Sequence, residues 1–109
     1  MGVTSRPLFR MGNAASPRMD HVRAIDVEVE LRAGVMWVRA GTGGVSTFDA
    51  VGRMRGSWWR LKEGYDYGSL LLVWNDHGSH WSWGPADDMP FEQYRASLAA
   101  AGLAFRRLA

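Results

Sequence analysis

The longest uninterrupted apolar run in this chain is "LLLVW" at 70–74, and turn residues that include glycine bound it on both sides. A run of that length is far too short to cross a bilayer and fits a short buried strand. Much of the chain follows the same plan. "LFRM" at 8–11, "GVSTF" at 44–48, "SWWRL" at 57–61 and "HWSW" at 80–83 are further strand candidates, set between turns rich in glycine. "IDVEVEL" at 25–31 alternates Ile25, Val27, Val29 and Leu31 with Asp26, Glu28 and Glu30, the period of a half-buried strand. The "RAG" that follows predicts a turn into "VMWVRA" at 35–40, and hence a hairpin.

Helical spacing is confined to "PFEQYRASLAAA" at 90–101. Pro90 suits a first turn, Phe91, Tyr94, Leu98 and Ala101 share one face, and Gly102 predicts the stop. "AFRRL" at 104–108 predicts a last strand. Many short strands and one late C-terminal helix predict an α+β fold with mostly antiparallel sheets. The chain of 109 residues fits one domain, over 8–109, with 1–7 as a flexible lead-in and 12–24 as loop.

Composition narrows the chemistry. The chain has no cysteine, which excludes disulfides, thiolate nucleophiles and the usual zinc clusters. The formal charge is +2, and all basic residues except Lys62 are arginines, scattered rather than clustered, so there is no clear nucleic-acid footprint. The N-terminus lacks the apolar core of a secretory signal, and Arg6 stands where a myristoylation pattern needs Ser or Thr. A soluble, cytoplasmic protein without a membrane partner is expected.

The segment "WNDHGSHWSWGPADDMP" at 74–90 mixes indoles with titratable groups. His77 and His80 stand beside Asp76, and imidazole and carboxylate are ordinary zinc ligands. A structural zinc site needs four ligands, with His21 drawn from a distant loop, so a polar hairpin turn is the expectation and no metal site is predicted. "GTGGVS" at 41–46 misses the dinucleotide fingerprint and has no phosphate-loop lysine. A Ser-His-Asp triad is assembled in space and is not legible in spacing. Trp37, Trp59, Trp74 and Trp81 are expected in the core or at its rim. In "HWSW", His80 and Ser82 share one strand face and Trp81 and Trp83 the other.

The succession "LFRMGNAASPRMDHVRAID", "GGVSTF", "WWRLKEG" and "NDHGSHWSWGPADDMPFEQY" resembles the small ADP-ribosyltransferase-like toxins whose founding member is a type VI secretion effector. The likeness runs from residue 8 to about 108 through short, degenerate motifs in a shared order. It implies split antiparallel sheets around a cleft that holds NAD as substrate. It further implies cleavage of the nicotinamide–ribose bond, with ADP-ribose passed to an unnamed acceptor or to water. On this likeness Arg10 binds phosphate or ribose, and Ser46 shapes the nicotinamide pocket with Thr47 and Phe48 in support. Gly43 and Gly44 let the backbone approach the ligand, while His80 and Ser82 face it. His80 fills the position of the catalytic glutamate of better-known transferases, and Asp76 is the nearby carboxylate. The expected catalytic residues are therefore His80, Asp76 and Ser46. A cognate antitoxin or immunity protein is the implied partner. The alternative is a non-enzymatic binding module that uses a tryptophan-rich face.

Overall fold

Apart from two hairpins, strand pairing in this chain joins segments far apart in sequence. A computed structural model describes residues 2–109. In chain order the elements are β1 (Gly2–Val3), β2 (Leu8–Gly12), β3 (Val29–Arg32), β4 (Val35–Val38), β5 (Val45–Phe48) and β6 (Ser57–Leu61). They continue with β7 (Asp66–Gly68), β8 (Leu71–His77), β9 (His80–Pro85), β10 (Met89–Pro90), α1 (Phe91–Gly102) and β11 (Arg106–Arg107). The largest sheet has the order β11-β6-β2-β5-β9-β8, the second β10-β4-β3, and β1 pairs with β7. All these pairings are antiparallel. With one helix near the C-terminus, the class is α+β. Among the described residues, no helix is long and apolar enough to cross a membrane.

Side-chain alternation decides what each central strand delivers. On β5, Val45 and Thr47 are fully buried while Ser46 and Phe48 are only partly so. On β9 the indole of Trp83 is fully buried and packs beside Tyr65 and Tyr67. Its Nε1 donates to Thr47 Oγ1 at 3.0 Å, and the Tyr94 hydroxyl donates to its carbonyl at 2.7 Å. The polar edge of a large aromatic is thus satisfied inside the core. Burial pushes the Tyr94 hydroxyl well above its ordinary pKa. Tyr94, Leu98 and Ala101 form the buried stripe of α1, and they join Leu8, Val38, Leu61, Leu71 and Phe105 in one core. The β3–β4 hairpin turns at Ala33 and Gly34, both with positive φ, as a two-residue primed turn requires.

Several sequence expectations shift. The strand expected from residue 25 begins at Val29, because residues 23–26 form a turn in which the buried Asp26 carboxylate accepts from the Arg23 amide at 2.8 Å. Ile25 is left 82% exposed. The lead-in is not loose where it is described: Gly2 and Val3 pair with β7, and Thr4 is buried with its hydroxyl accepting from the Tyr65 amide at 3.0 Å. Gly102 is the last helical residue rather than a left-handed stop, since Leu103 caps the helix with right-handed angles. Its bare backbone faces Met19 and Pro17. The fully buried tryptophan is Trp83, whereas Trp59 and Trp81 pack against the core from its rim and Trp37 and Trp74 are half-buried.

Candidate functional site

Ser46 and His80 lie on adjacent strands. In the β5–β9 register Ser46 faces Ser82 and Phe48 faces His80, so the imidazole reaches Ser46 along the diagonal. His80 Nε2 lies 2.7 Å from Ser46 Oγ, and its Nδ1 is hydrogen-bonded to Asp76 Oδ1. A carboxylate only accepts, so the neutral imidazole carries its proton on Nδ1 and Nε2 is free to accept from the Ser46 hydroxyl. The three side chains expected to be catalytic therefore form one chain of hydrogen bonds, Ser46 to His80 to Asp76.

The carboxylate at the end of that chain is held from several sides. Ser82 is buried, and its hydroxyl donates to Asp76 Oδ2 at 3.2 Å. Desolvation works to raise the Asp76 pKa, but the hydrogen bond and charge of His80, the Ser82 bond and the charge of His77 outweigh it. Asp76 rests below the ordinary carboxylate value. Phe48 sets its ring edge-on to His80, with centroids 5.5 Å apart, and limits rotation of the imidazole.

Ser46 opens on a cleft of about 680 Å³, in the size range of small-molecule and cofactor sites. Phe48, Trp58 and Met54 supply apolar lining, and Arg10, Arg18, Arg23 and Arg53 supply positive charge. Arg10 is anchored at its base. Its Nε donates to the Pro17 carbonyl at 2.8 Å, Nη1 to the Ser46 carbonyl at 2.5 Å and Nη2 to the Arg18 carbonyl at 2.9 Å. These bonds use three of the five guanidinium N–H donors and leave two for a ligand. Burial pushes the Arg10 pKa down to about 10, against an opposing pull from Asp26, so the group is still cationic at neutral pH. Arg10 thus ties the 17–18 loop to β5 besides lining the cleft.

Other expected ligand contacts fall elsewhere. Thr47 is fully buried on the opposite face of β5 and bonds Trp81 and Trp83. Ser82 holds Asp76 instead of lining the cleft. Gly43 and Gly44 serve close backbone packing: a Cβ on Gly43 would lie 2.3 Å from the Asp26 carbonyl oxygen, and one on Gly44 would lie 2.2 Å from that of Trp83. Conversely, Trp58, Arg18, Arg23 and the 50–54 loop line the cleft without having been singled out. "PRMDHVR" at 17–23, with two arginines in a loop, was the available signal for part of that wall. Comparison of the chain with protein-family models, curated proteins and solved structures gives no match.

Proposed function

We propose that this chain is an NAD-consuming enzyme of the ADP-ribosyltransferase type, which breaks the nicotinamide–ribose bond and passes ADP-ribose to an acceptor hydroxyl or to water. The observation that carries the reading is the Ser46–His80–Asp76 chain opening on a cleft with both arginine and aromatic walls. A dinucleotide offers the matching chemistry: a pyrophosphate for guanidinium groups and flat rings for Trp58 and Phe48. The split-sheet fold and the neutralising immunity or antitoxin protein belong to the same reading through the sequence resemblance.

In this mechanism the C1′–N bond of the nicotinamide riboside breaks first, and its electron pair leaves with neutral nicotinamide. The oxocarbenium-like ribose is then attacked by an acceptor oxygen, whose proton passes to Ser46 Oγ as the Ser46 hydroxyl gives its own proton to His80 Nε2. Asp76 stabilises the resulting imidazolium, which supplies the negative charge that a lone histidine lacks. Ser46, which lines the cleft, thus links the acceptor to the imidazole behind it. The burial of Trp83 and the core packing of Trp81 weigh against a binding module built on the indoles of "HWSW".

The test is nicotinamide release from NAD by the purified protein, with thermal melting alongside. At an NAD concentration ten times Kd, binding stabilises the fold by about 1.4 kcal/mol, which raises Tm by roughly 5–10 °C for a domain of this size. A flat melting curve at millimolar NAD together with no nicotinamide release would defeat the proposal.

A further inference from the structure

The β8–β9 hairpin contains an irregularity with a chemical result. Asn75 pairs with Trp81 and His77 pairs with His80, so Asp76 is an extra residue with no partner across the ladder. In a regular strand Asp76 and His77 would point to opposite faces. Such a bulge re-aims side chains, and here it brings both groups to one side. Gly78, with φ of +51°, closes the turn and sets His80 opposite His77. The two imidazole rings stack with centroids 4.9 Å apart. His77 Nδ1 lies 3.2 Å from Asp76 Oδ1, the same oxygen that accepts from His80 Nδ1. One ligand atom from each residue lies within 4.8 Å of the other two.

From this arrangement we infer that Asp76, His77 and His80 form a binding site for a divalent transition-metal ion such as Zn²⁺, whose occupancy switches off His80 as a base. Two imidazoles and a carboxylate are a donor set for zinc, cobalt or nickel rather than for magnesium or calcium. Two ligands about 2.1 Å from a tetrahedral ion lie about 3.4 Å apart, close to the 3.2 Å between Asp76 Oδ1 and His77 Nδ1. Water completes the coordination, because His77 is exposed to solvent. Ser82 supplies the outer hydrogen bond that fixes the carboxylate, the support such ligands usually have. The sequence reading predicted no metal because it sought four protein ligands, but a regulatory site with open positions needs fewer.

The inhibitory effect rests on the reading of His80 as a base. An ion on Nδ1 displaces the proton from that nitrogen, leaving the neutral imidazole with its proton on Nε2. Nε2 then donates to Ser46 Oγ and accepts no proton from it. The metal therefore acts from the hairpin side of the ring without entering the cleft.

The experiment uses the full chain with zinc chloride, and with Co²⁺ as a spectroscopic probe, in wild type, His77→Ala and Ser46→Ala. We expect one Zn²⁺ per chain at micromolar Kd, binding weakened at least tenfold in His77→Ala, and binding unchanged in Ser46→Ala. Imidazole ¹⁵N spectra should place the His80 proton on Nε2 in the zinc form and on Nδ1 without it. His77→Ala should keep its basal nicotinamide release and lose zinc inhibition. Equal zinc binding by wild type and His77→Ala, or equal binding of Mg²⁺ and Zn²⁺ by wild type, would overturn the site. An unmoved His80 proton would overturn its regulatory role. Absence of turnover in every variant would instead defeat the NAD reading, since the binding and ¹⁵N measurements require none.

Discussion

The hydroxyl of Ser46 lies 2.7 Å from Nε2 of His80, although 34 positions separate them in the chain. The contact exists because β5 and β9 are hydrogen-bonded neighbours, and Asp76 completes it from β8. A group assembled from three strands is sensitive to substitution in ways that separate chemistry from scaffold.

His80→Ala and Asp76→Asn are expected to reduce nicotinamide release by about 100- to 10,000-fold, the range for loss of a positioned proton acceptor. His80 sits at the hairpin end of the sheet, so Tm should move little in His80→Ala, while Asp76→Asn also loses an ionic contribution to stability. Full turnover in a folded His80→Ala protein would sink the mechanism.

Arg10→Ala is expected to destabilise the fold by about 2–4 kcal/mol, because three backbone carbonyls lose charge-assisted partners. This differs from a residue whose only partner is a ligand. Arg10→Lys should rescue poorly, since a single ammonium cannot reproduce the guanidinium fork. Chemical denaturation measures both, and unchanged midpoints would show that the tie between the 17–18 loop and β5 has no weight.

Gly43→Ala tests whether that glycine serves the ligand or the fold. Its φ is +139°, and an added Cβ would meet the Asp26 carbonyl oxygen. The variant should lose roughly 1–3 kcal/mol of stability from backbone strain alone. Normal stability with weakened NAD binding would return Gly43 to the ligand site.

Trp83→Ala is expected to cost about 3–5 kcal/mol, the range for truncating a fully buried aromatic. Trp83→Phe should cost less while still breaking the bond to Thr47 Oγ1. Denaturant titration of both proteins gives the comparison, and a near-neutral Trp83→Ala would contradict the core assignment.

Asp76 also makes a pH forecast. Its folded pKa lies below the ordinary value near 3.9 of an unfolded chain, so its stabilising contribution is complete above about pH 4. That contribution disappears as pH falls through the folded value. His77 and His80 are the titratable groups facing it. The stability difference between wild type and Asp76→Asn, measured from pH 5 to pH 2, should therefore shrink towards zero. A difference that is flat across the range would remove the ionic role of Asp76.

Much of this protein was legible in its local pattern. Strand 57–61, the hairpin turn at 33–34, and the helix with its stripe of Tyr94, Leu98 and Ala101 follow from periodicity and turn chemistry, which neighbouring residues determine among themselves. The facing of His80 with Ser82 and of Trp81 with Trp83 is equally local, because a strand alternates whatever it packs against. Which face is buried, and by what, is a tertiary matter. The buried Asp26, the fully enclosed Trp83 and the inward Thr47 depend on partners supplied by other segments. Arg10 became a tie between loop and strand because the Pro17, Arg18 and Ser46 carbonyls converge on it. Ser46, His80 and Asp76 could be named from the sequence, but only antiparallel pairing of β5 with β9, and the bulge in β8, bring their polar atoms within bonding distance. Hydrogen bonds act over about 3 Å, and chain spacing places side chains at that range only within a single element.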